Sequence, residues 1–454
     1  MPVSPARAAA FDILLRIERE SSYASELLHS AAFQKLSTQD HALATELVMG
    51  ILRWRSRLDD EIARASSQKL SKLDLEILIA LRLAVYQFHF LDRIPARAAL
   101  HESVELVKRA RKRSAAPFVN AVLRKLSTNV TDKETQTGSL SSSTPSAVNS
   151  SSPQSTAAAW SHPLWLVERW IHEYGLAAAQ QVCQHDQSTP TTTIRLRVPT
   201  ADAELMTEGI ELLPGAFLST ARRLASGDIT KTRLFRERGV VIQDEASQLV
   251  AALVGTASRI LDCCAAPGGK TLAIADHNPE AIITAVELYP HRARLLQELL
   301  QPAAHTQIIT ADARTLPVSE PYDRILADVP CSGTGTLARN PEIKWRLTPE
   351  DLAELHDRQI AILHSALTHL RPGGRLIYST CSLEKEENED VVEYILANND
   401  HVRRVDCLPE LERLRSNGDL TWPDLHSLTR GPYLRTIPGI HPCDGFFAAI
   451  LERD

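Results

Sequence analysis

The first 126 residues carry apolar side chains at helical spacing. Between Leu43 and Leu52 they recur every three or four positions, which places one apolar stripe along a helix. Helix-start signals agree, because Ser4 precedes a proline and Ser37 stands three residues before an acidic residue. Residues 1–126 are therefore predicted to form an all-α bundle.

The helical pattern stops abruptly after this bundle. Residues 127–159 are rich in Ser, Thr, Asn, Gln and Pro and have almost no large apolar residue, so they are predicted to form a disordered linker. Residues 160–237 then show two helical patterns and an alternating strand, Thr192–Val198, and are predicted to form a small α+β subdomain for which RNA is a candidate partner. Arg195 and Arg197 share one face of that strand, where RNA and acidic side chains are both candidate partners.

From residue 238 to residue 454 short apolar runs alternate with helical patterns. The predicted strands are Ile260–Cys264, Ile282–Leu288, Gln307–Thr310, Arg324–Val329, Arg375–Thr380 and Gly445–Glu452. Such alternation predicts an α/β domain with a mostly parallel, doubly wound sheet. Ligands of such sheets bind at the carboxyl ends of the strands.

Composition narrows the class of protein. A chain of 454 residues with 44% hydrophobic and 23% charged residues is typical of a globular protein with two or three domains. No apolar run approaches the roughly 20 residues that span a bilayer, and the N-terminus does not resemble a signal peptide. The odd number of cysteines, seven, favours free thiols over a disulfide framework. We therefore expect a cytoplasmic protein.

Charge is distributed unevenly along the chain. Residues 1–126 contain 20 basic and 14 acidic residues, a net charge of +6, whereas the whole chain carries −6 and the remainder therefore −12. A basic N-terminal module on an acidic body suits an anionic partner such as RNA, although a solvated helical face has the same composition. The cluster Lys108, Arg109, Arg111, Lys112 and Arg113 is the candidate site of phosphate contacts.

A glycine turn follows the first predicted strand of the C-terminal domain. Pro267, Gly268 and Gly269 separate that strand from a helix that begins near Lys270, which predicts a pocket for a nucleotide-like ligand. A phosphate-binding loop would need glycine where Cys264 stands, and Pro267 lacks an N–H for the phosphates. The turn therefore favours a nucleoside without a polyphosphate.

Four carboxylates fall at or just after the ends of predicted strands: Asp262, Glu287, Asp312 and Asp328. An acid at the end of the second strand suits the hydroxyl groups of a ribose. Four acids at one edge of a sheet are hard to explain by capping alone. We therefore expect a nucleoside ligand at this edge.

Two cysteines follow the fourth and fifth strands, which are expected to be neighbours in the sheet. Cys331 and Cys381 both lie in loops rich in Ser, Thr and Gly, where backbone donors can stabilise a thiolate. A redox pair and half of a metal site are alternatives, but there is no C-x-x-C motif and no nearby His. A nucleophilic thiolate is the sharper hypothesis.

Together these motifs resemble the RNA (cytosine-5) methyltransferases that use S-adenosylmethionine. The residues that carry the resemblance are D-C-C-A-A-P-G-G-K-T (262–271), D-V-P-C-S-G-T-G-T (328–336), N-P-E-I-K-W (340–345), S-T-C-S-L-E-K-E-E-N (379–388) and a lead-in helix, V-V-I-Q-D-E-A-S-Q (240–248). Residues 94–106 and 118–126 resemble the NusB-type RNA-binding bundle. The combination is similar to the RsmB/Sun type, whose substrate is the 16S ribosomal RNA of the small subunit.

The resemblance implies a Rossmann-like methyltransferase sheet and a role for each site residue. The implied cofactor loop consists of Cys264, Ala265, Ala266, Pro267, Gly268, Gly269 and Lys270. Glu287 would hold the ribose, although the family more often has Asp there, and Asp312 would lie by the adenine. Asp328 would stand between cofactor and target base, and Lys270 would also reach the cytosine. Cys381 would be the nucleophile and Cys331 the residue that helps to release the product.

The predicted activity is thus methylation of C5 of a cytosine in 16S ribosomal RNA by a monomeric enzyme without a metal. Addition of a thiolate at C6 would break the aromaticity of the ring and make C5 nucleophilic, and the base must be unpaired or flipped out. Three alternatives remain open: a transfer RNA methyltransferase with the same chemistry, a non-catalytic RNA-binding assembly factor, and an ATP-binding enzyme that uses G-G-K-T.

Overall fold

The computed structural model describes residues 3–20, 22–30, 33, 35–136, 152–198, 200–300, 305–318 and 321–454, and the side chains of all of these except 129–136. The chain divides into two compact units. The helical unit consists of Met1–Thr189 and Leu337–Arg346, and the sheet unit consists of Pro190–Thr336 and Leu347–Asp454. Among the described residues, no helix combines the length and the hydropathy that crossing a membrane requires.

The α-helices are α1 (Pro5–Glu20), α2 (Ala24–Leu28), α3 (Thr38–Ala65), α4 (Leu75–Phe90), α5 (Ala96–Arg109), α6 (Ala116–Gln136), α7 (Pro153–Trp160), α8 (Leu164–Tyr174), α9 (Leu176–Asp186), α10 (Ala201–Thr207), α11 (Arg233–Arg236), α12 (Glu245–Leu253), α13 (Gly269–His277), α14 (Pro290–Leu300), α15 (Ile343–Arg346), α16 (Pro349–Thr368), α17 (Glu389–Ala397) and α18 (Cys407–Ser416). The strands are β1 (Thr193–Leu196), β2 (Glu211–Pro214), β3 (Ala221–Ser226), β4 (Val240–Ile242), β5 (Arg259–Asp262), β6 (Ile282–Glu287), β7 (Thr306–Thr310), β8 (Tyr322–Asp328), β9 (Leu370–Thr380), β10 (Val402–Val405), β11 (Thr429–Arg430), β12 (Tyr433–Arg435) and β13 (Phe447–Arg453).

The helical unit is built around α4. Almost every residue from Ile77 to Phe88 is buried, as expected for a helix that is apolar on all sides and enclosed by other helices. Its one buried arginine, Arg82, donates to both carboxylate oxygens of Asp59 at 2.7 Å, which compensates the loss of water. The all-α prediction for the N-terminal region is confirmed.

The segment predicted as a linker, 127–159, is helical at both ends in the structure. Helix α6 continues to Gln136, and α7 begins after Ser152, whose side chain forms a capping box with Ser155. Thr156 and Ala157 of α7 are buried, so this end of the segment packs against the protein although its composition indicated a linker. Residues 137–151, the centre of the predicted linker, lie outside the described residues.

The predicted subdomain 160–237 is divided between the two units. Helices α8 and α9 belong to the helical unit, where the buried His162 and Asp186 side chains lie 3.2 Å apart. The strands belong to the sheet unit and form a four-stranded antiparallel sheet of order β2-β3-β1-β4. Sequence periodicity detected only β1 of this sheet. The four residues of β2 are mostly exposed, and β4 has only three residues, so neither shows a clear alternation.

The large sheet has the order β11-β12-β13-β9-β8-β5-β6-β7, and β10 also pairs with β13. Strands β9, β8, β5, β6 and β7 run parallel, whereas β13 pairs antiparallel with β9 and continues into the antiparallel edge. The expected neighbourhood of the fourth and fifth strands is confirmed, since they are β8 and β9. The sheet is therefore mixed but mostly parallel in its centre.

Consecutive residues of the central strands enter opposite cores. Ile260 packs in a core with α12, α13 and α18, whereas its neighbour Leu261 packs in a core with α16 and α17. Leu326 and Ile325 alternate in the same way. Both faces of the sheet are covered, which explains why its strands read as continuous apolar runs and confirms the doubly wound prediction.

The segment 240–248, expected to be a lead-in helix, begins as strand β4. The helix starts only at Glu245, after Asp244 accepts a hydrogen bond from the Ala246 N–H as its N-cap. Three β-branched residues in a row, Val240 to Ile242, favour the extended backbone that pairs with β1.

The ten residues Leu337–Arg346 leave the sheet unit and belong to the helical unit. There Glu342 accepts from the Ala24 N–H at 2.8 Å, and the Trp345 indole donates to the Leu52 carbonyl at 2.6 Å. Lys344 is fully buried and donates to the carbonyl oxygen of Arg53 at 3.1 Å. Burial lowers the pKa of Lys344 to about 7.

Lys344→Met is expected to stabilise the helical unit at neutral pH and to lose this advantage as the pH rises. The pKa of Lys344 is about 7 in the folded chain and near 10.5 in the unfolded chain, so the unfolded chain binds the proton more tightly. The free energy of unfolding of the wild type therefore rises as the pH increases from about 7 to about 10.5. The difference between the variants should shrink by at most about 1.4 kcal/mol per pH unit. Urea denaturation followed by tryptophan fluorescence measures it. Lys125→Met, at an exposed position, is the control, and an equal pH dependence in both variants would contradict the prediction.

Candidate active site at the carboxyl ends of the parallel strands

The glycine turn joins β5 to α13 and is tied together by a buried carboxylate. Asp262 ends β5, accepts the Thr271 hydroxyl at 2.7 Å and accepts the Cys264 N–H at 3.3 Å. Burial raises the pKa of Asp262 to about 7. Gly268 has a φ of +110°, a conformation that residues with a Cβ rarely adopt, and it directly precedes the first turn of α13. The strand–turn–helix predicted from the sequence is therefore present.

Strand register brings the predicted carboxylates to one edge. Asp262 on β5 lies opposite Ala285 of β6 and Leu326 of β8. Glu287 and Asp328 each end their strands two residues further on, so they flank Asp262 on either side. Asp312 follows β7 beyond Glu287, whose register partner is Thr310.

These carboxylates differ in their partners. Glu287 is buried, accepts from the Tyr289 N–H at 2.9 Å and lies 3.9 Å from Arg292. Asp312 accepts from the Arg314 guanidinium at 2.6 Å, and this hydrogen bonding lowers the pKa of Asp312. The structure therefore gives Asp312 a local partner that the sequence did not reveal.

Lys270 and Asp328 form an ion pair inside the site. The Lys270 ammonium donates to Asp328 Oδ2 at 2.7 Å, and the Ser379 hydroxyl donates to Oδ1 at 2.7 Å. The ammonium also lies 4.9 Å from the centre of the Phe446 ring. Burial lowers the pKa of Lys270, but the charge and hydrogen bond of Asp328 outweigh it, so that the pKa is raised. Lys270 therefore keeps its proton.

The two cysteines meet at the ends of adjacent strands. Asp328 of β8 is in register with Ser379 of β9, and the chain reaches Cys331 and Cys381 a few residues later. Their sulfur atoms lie 3.4 Å apart, and both side chains are partly exposed. Hydrogen bonding to Cys381 and burial raise the pKa of the Cys331 thiol well above its usual range. One of the two thiols is therefore held in its protonated form.

The backbone of Gly335 crosses that of Gly445 next to Cys381, a contact that was not predicted from the sequence. The Gly335 N–H donates to the Cys381 carbonyl at 2.9 Å, and the Gly445 N–H donates to the Gly335 carbonyl at 2.8 Å. A Cβ on Gly335 would lie 2.2 Å from the Gly445 oxygen. The motif S-G-T-G-T contains the signal, since closely spaced glycines permit such an approach, but Gly445 is too distant in sequence to be paired with it.

Arg435 is a second residue that the sequence reasoning missed. Its buried guanidinium donates to the Ser382 carbonyl at 2.9 Å and to Glu389 at 3.1 Å, and it lies 4.9 Å from the Phe447 ring. No local pattern marks it, because β12 reaches the site only through the antiparallel pairing with β13.

Arg195 and Arg197, for which RNA and acids were both candidates, pair with the same acid in the structure. Arg195 donates to Asp276 at 2.7 Å, and Arg197 donates to it at 2.6 and 2.8 Å.

Among the residues that the structure describes, no group of three or more His, Cys, Asp or Glu side chains is arranged to hold a metal ion.

Comparison with known proteins shows the family to which this chain belongs. The family described as 16S rRNA methyltransferase RsmB/F matches residues 253–452, and the NusB family matches residues 4–128. A protein of Bacillus subtilis (strain 168) named probable ribosomal RNA small subunit methyltransferase B is 33% identical over 468 residues, with 100% of both chains covered. The chain belongs to the RsmB/F family of rRNA methyltransferases.

A second relative and two solved structures are also similar to this chain. The ribosomal RNA small subunit methyltransferase B of Vibrio cholerae is 30% identical and covers 98% of this chain and 97% of its own. The crystal structure of PH0851 has a TM-score of 0.78 at 22% identity and covers 100% of both chains. A methyltransferase homologue from Pyrococcus horikoshii has a TM-score of 0.56 at 23% identity and covers 67% of this chain and 100% of its own. These two structures share the fold.

Gly335→Ala is expected to lower the free energy of unfolding by about 3 kcal/mol, because the new methyl group collides with backbone rather than with a movable side chain. Urea denaturation of the whole protein, followed through the unfolding of the sheet unit, measures this loss. Gly418→Ala is the matched control, since Gly418 has a φ of +79° but open space around it. The backbone strain of an alanine at this φ should lower the free energy of unfolding by only about 1 kcal/mol. An equal loss in both variants would show that the crossing tolerates a side chain.

Proposed function

We propose that this protein transfers a methyl group from S-adenosylmethionine to C5 of a cytosine in 16S ribosomal RNA, through a transient bond between Cys381 and C6. The observation that carries the proposal is the pair of sulfur atoms 3.4 Å apart, next to the Lys270–Asp328 ion pair and the glycine turn. RNA binding alone requires neither thiol.

The residues at the glycine turn fit S-adenosylmethionine better than a polyphosphate. Gly268 and Gly269 lie at the start of α13, where the first backbone N–H groups of a helix have no partner within the helix and no side chain caps them, while Pro267 provides no donor there. The buried Glu287 carboxylate is the acceptor for the two ribose hydroxyls, and Asp312 is assigned to the adenine side. Residues 264–270 form the rest of the cofactor loop. When bound, the cofactor supplies an electrophilic methyl group.

Isothermal titration calorimetry of the protein is expected to show binding of S-adenosylhomocysteine and no binding of ATP. Glu287→Ala should weaken the binding by about tenfold or more, because two hydroxyls lose a charged acceptor. Glu298→Ala, at an exposed position of α14, should leave it unchanged. Tight binding of ATP without binding of S-adenosylhomocysteine would overturn the cofactor assignment.

The chemistry requires a nucleophile because C5 of cytosine is unreactive while the ring is aromatic. Addition of the Cys381 thiolate at C6 would move electron density to C5, which would then take the methyl group as the bond between that methyl and the sulfonium sulfur breaks and a neutral thioether leaves. Loss of the C5 proton to a base and cleavage of the bond between C6 and sulfur restore the ring and the thiolate. Each bond that Cys381 forms is thus broken again within one turnover.

The ion pair and the second thiol have separate tasks in this scheme. Asp328 is assigned to N3 or N4 of the cytosine and holds the base in place. The Lys270 ammonium, which donates to Asp328 and fixes its position, supplies the positive charge that offsets the negative charge developing on the ring during addition. Cys331 keeps its proton at the pH of the reaction and lies within hydrogen-bond distance of the Cys381 sulfur. We assign Cys331 to the elimination step, in which its S–H stabilises the departing thiolate.

The RNA substrate is inferred from the relatives and from charge. Both named relatives are ribosomal RNA small subunit methyltransferases, and residues 1–126 carry a net charge of +6. In the basic cluster, Lys108, Arg109 and Lys112 pair with Glu105, Asp12 and Asp74. Arg111 and Arg113 are exposed and are the best candidates for phosphate contacts.

Substitution of each cysteine separates the two roles. Cys381→Ala should reduce formation of 5-methylcytosine in 16S ribosomal RNA to background, because no adduct can form. Cys331→Ala should accumulate a complex of RNA and protein that survives denaturant, because elimination is blocked. Nuclease digestion with mass spectrometry measures the product, and denaturing gels reveal the complex. Cys407→Ala, at a buried cysteine of α18, is the control.

Two outcomes would contradict this assignment. Activity in Cys381→Ala together with an inactive Cys331→Ala that forms no complex would reverse the two roles. Methylation of transfer RNA but not of ribosomal RNA, offered as transcripts and as small-subunit particles, would replace the substrate while preserving the chemistry.

A further inference from the structure

One buried carboxylate lies between the two loops that carry the thiols. Glu387, six residues after Cys381, has no exposed surface. Its Oε1 accepts the Ser332 N–H at 2.8 Å and the Gln359 amide at 2.9 Å. Its Oε2 accepts the hydroxyl groups of Ser332 and Ser382, the latter at 2.5 Å. All four acceptor positions of the carboxylate are therefore used.

The partners of Glu387 are the immediate neighbours of the two sulfur-bearing residues. Ser332 follows Cys331, and Ser382 follows Cys381. The two serine hydroxyl groups lie 3.0 Å apart, so the loops meet at the carboxylate as well as at the sulfur atoms. Gln359 extends the connection, because its amide also donates to the Pro330 carbonyl at 3.0 Å.

Complete burial of a carboxylate carries a large desolvation penalty, which a role in helix initiation alone would not explain. A carboxylate at this position of a short turn before α17 would be solvated if it served only to start that helix. Instead burial raises the pKa of Glu387, and the hydrogen bonds from Ser332 and Ser382 oppose the rise. Desolvation of a carboxylate is offset only where several donors converge on it, and here they come from both thiol loops and from α16.

We propose that Glu387 is a positioning residue that holds Cys331 and Cys381 at the separation that the reaction needs. The roles of the two thiols rest on the proposed function, but their positioning is a property of the protein alone. Glu387 touches neither sulfur. It acts through the serine beside each of them.

The separation of the thiols is measured without RNA by oxidation with diamide. Two thiols lose two electrons and two protons to the diazene, which becomes a hydrazine, and one disulfide forms between Cys331 and Cys381. Mass spectrometry of tryptic peptides follows the rate, and Cys331→Ser confirms the identity of the linked peptide. In the wild type the two sulfur atoms need to move only from 3.4 Å to bonding distance.

Glu387→Ala is expected to slow this oxidation by about tenfold or more, because loops that have lost their common acceptor separate. Glu387→Gln should retain most of the rate, since its oxygen still accepts from Ser332 and Gln359 and its amide can donate to the serine hydroxyls. Glu245→Ala is the matched control. Glu245 is a buried carboxylate of the same unit that accepts three backbone N–H groups, of Ala216, Phe217 and Leu218, away from the thiols.

Unchanged oxidation in a folded Glu387→Ala variant, or an equal slowing in Glu245→Ala, would overturn the proposal. Circular dichroism establishes folding at the temperature of the assay. If Glu387→Ala does not fold, Ser382→Ala takes its place, and the expected slowing is then about threefold because one of four hydrogen bonds is lost. An unchanged rate in that variant would also refute the positioning role.

Methylation assays on the same variants distinguish this proposal from the proposed function. Positioning predicts that Glu387→Ala lowers kcat and leaves the affinity for S-adenosylhomocysteine and the KM for RNA nearly unchanged, with rescue by Glu387→Gln. If the wild type makes no 5-methylcytosine while Glu387→Ala still slows oxidation, the proposed function fails and the positioning stands. If the wild type methylates RNA and Glu387→Ala oxidises normally, the reverse holds.

Discussion

The parallel hydrogen-bonded pairing of β8 with β9 is the constraint on which the site depends. Its register sets Asp328 opposite Ser379, so the loops that follow begin side by side and deliver Cys331 and Cys381 to one point. The pairing of β8 with β5 then places the glycine turn next to them. Three chain segments that are far apart in sequence thus meet because parallel strands end at the same edge.

Around this edge the protein buries polar groups that would be unfavourable without partners. Asp262 ties the glycine turn, Glu387 joins the thiol loops, and Arg435 holds the carbonyl oxygen of Ser382. Each of these side chains is nearly or completely buried, and each is hydrogen-bonded to backbone or to short hydroxyl side chains. Networks of this kind keep loops in one conformation, which is what the proposed reaction between a thiolate and a ring carbon would require.

The helical unit has its own polar contacts where the segment Leu337–Arg346 joins it. Lys344 is buried there against a backbone carbonyl, at a cost that the lowered pKa records. The motif N-P-E-I-K-W (340–345), which resembles the methyltransferase family in sequence, therefore belongs to the helical unit and not to the sheet unit. A local sequence motif can thus belong to a structural unit different from that of its neighbours.

The amino-acid sequence by itself determined the elements with strong periodicity and the local turn chemistry. It predicted the N-terminal helices, the central strands β5, β6, β8 and β9, and the glycine turn, because hydrophobic spacing and glycine preferences act over a few residues. It also indicated Asp262, Glu287 and Asp328 at strand ends, since the end of an apolar run is visible in the sequence.

Only the tertiary structure decided the features that join distant segments. The edge strands β10 to β12, the crossing of Gly335 with Gly445 and the convergence of two serines on Glu387 have no local signature. They depend on which distant segments the folded sheet brings together, because buried polar groups must find their hydrogen-bond partners there. The same holds for the division of residues 160–237 between two units, which is set by packing partners rather than by local pattern.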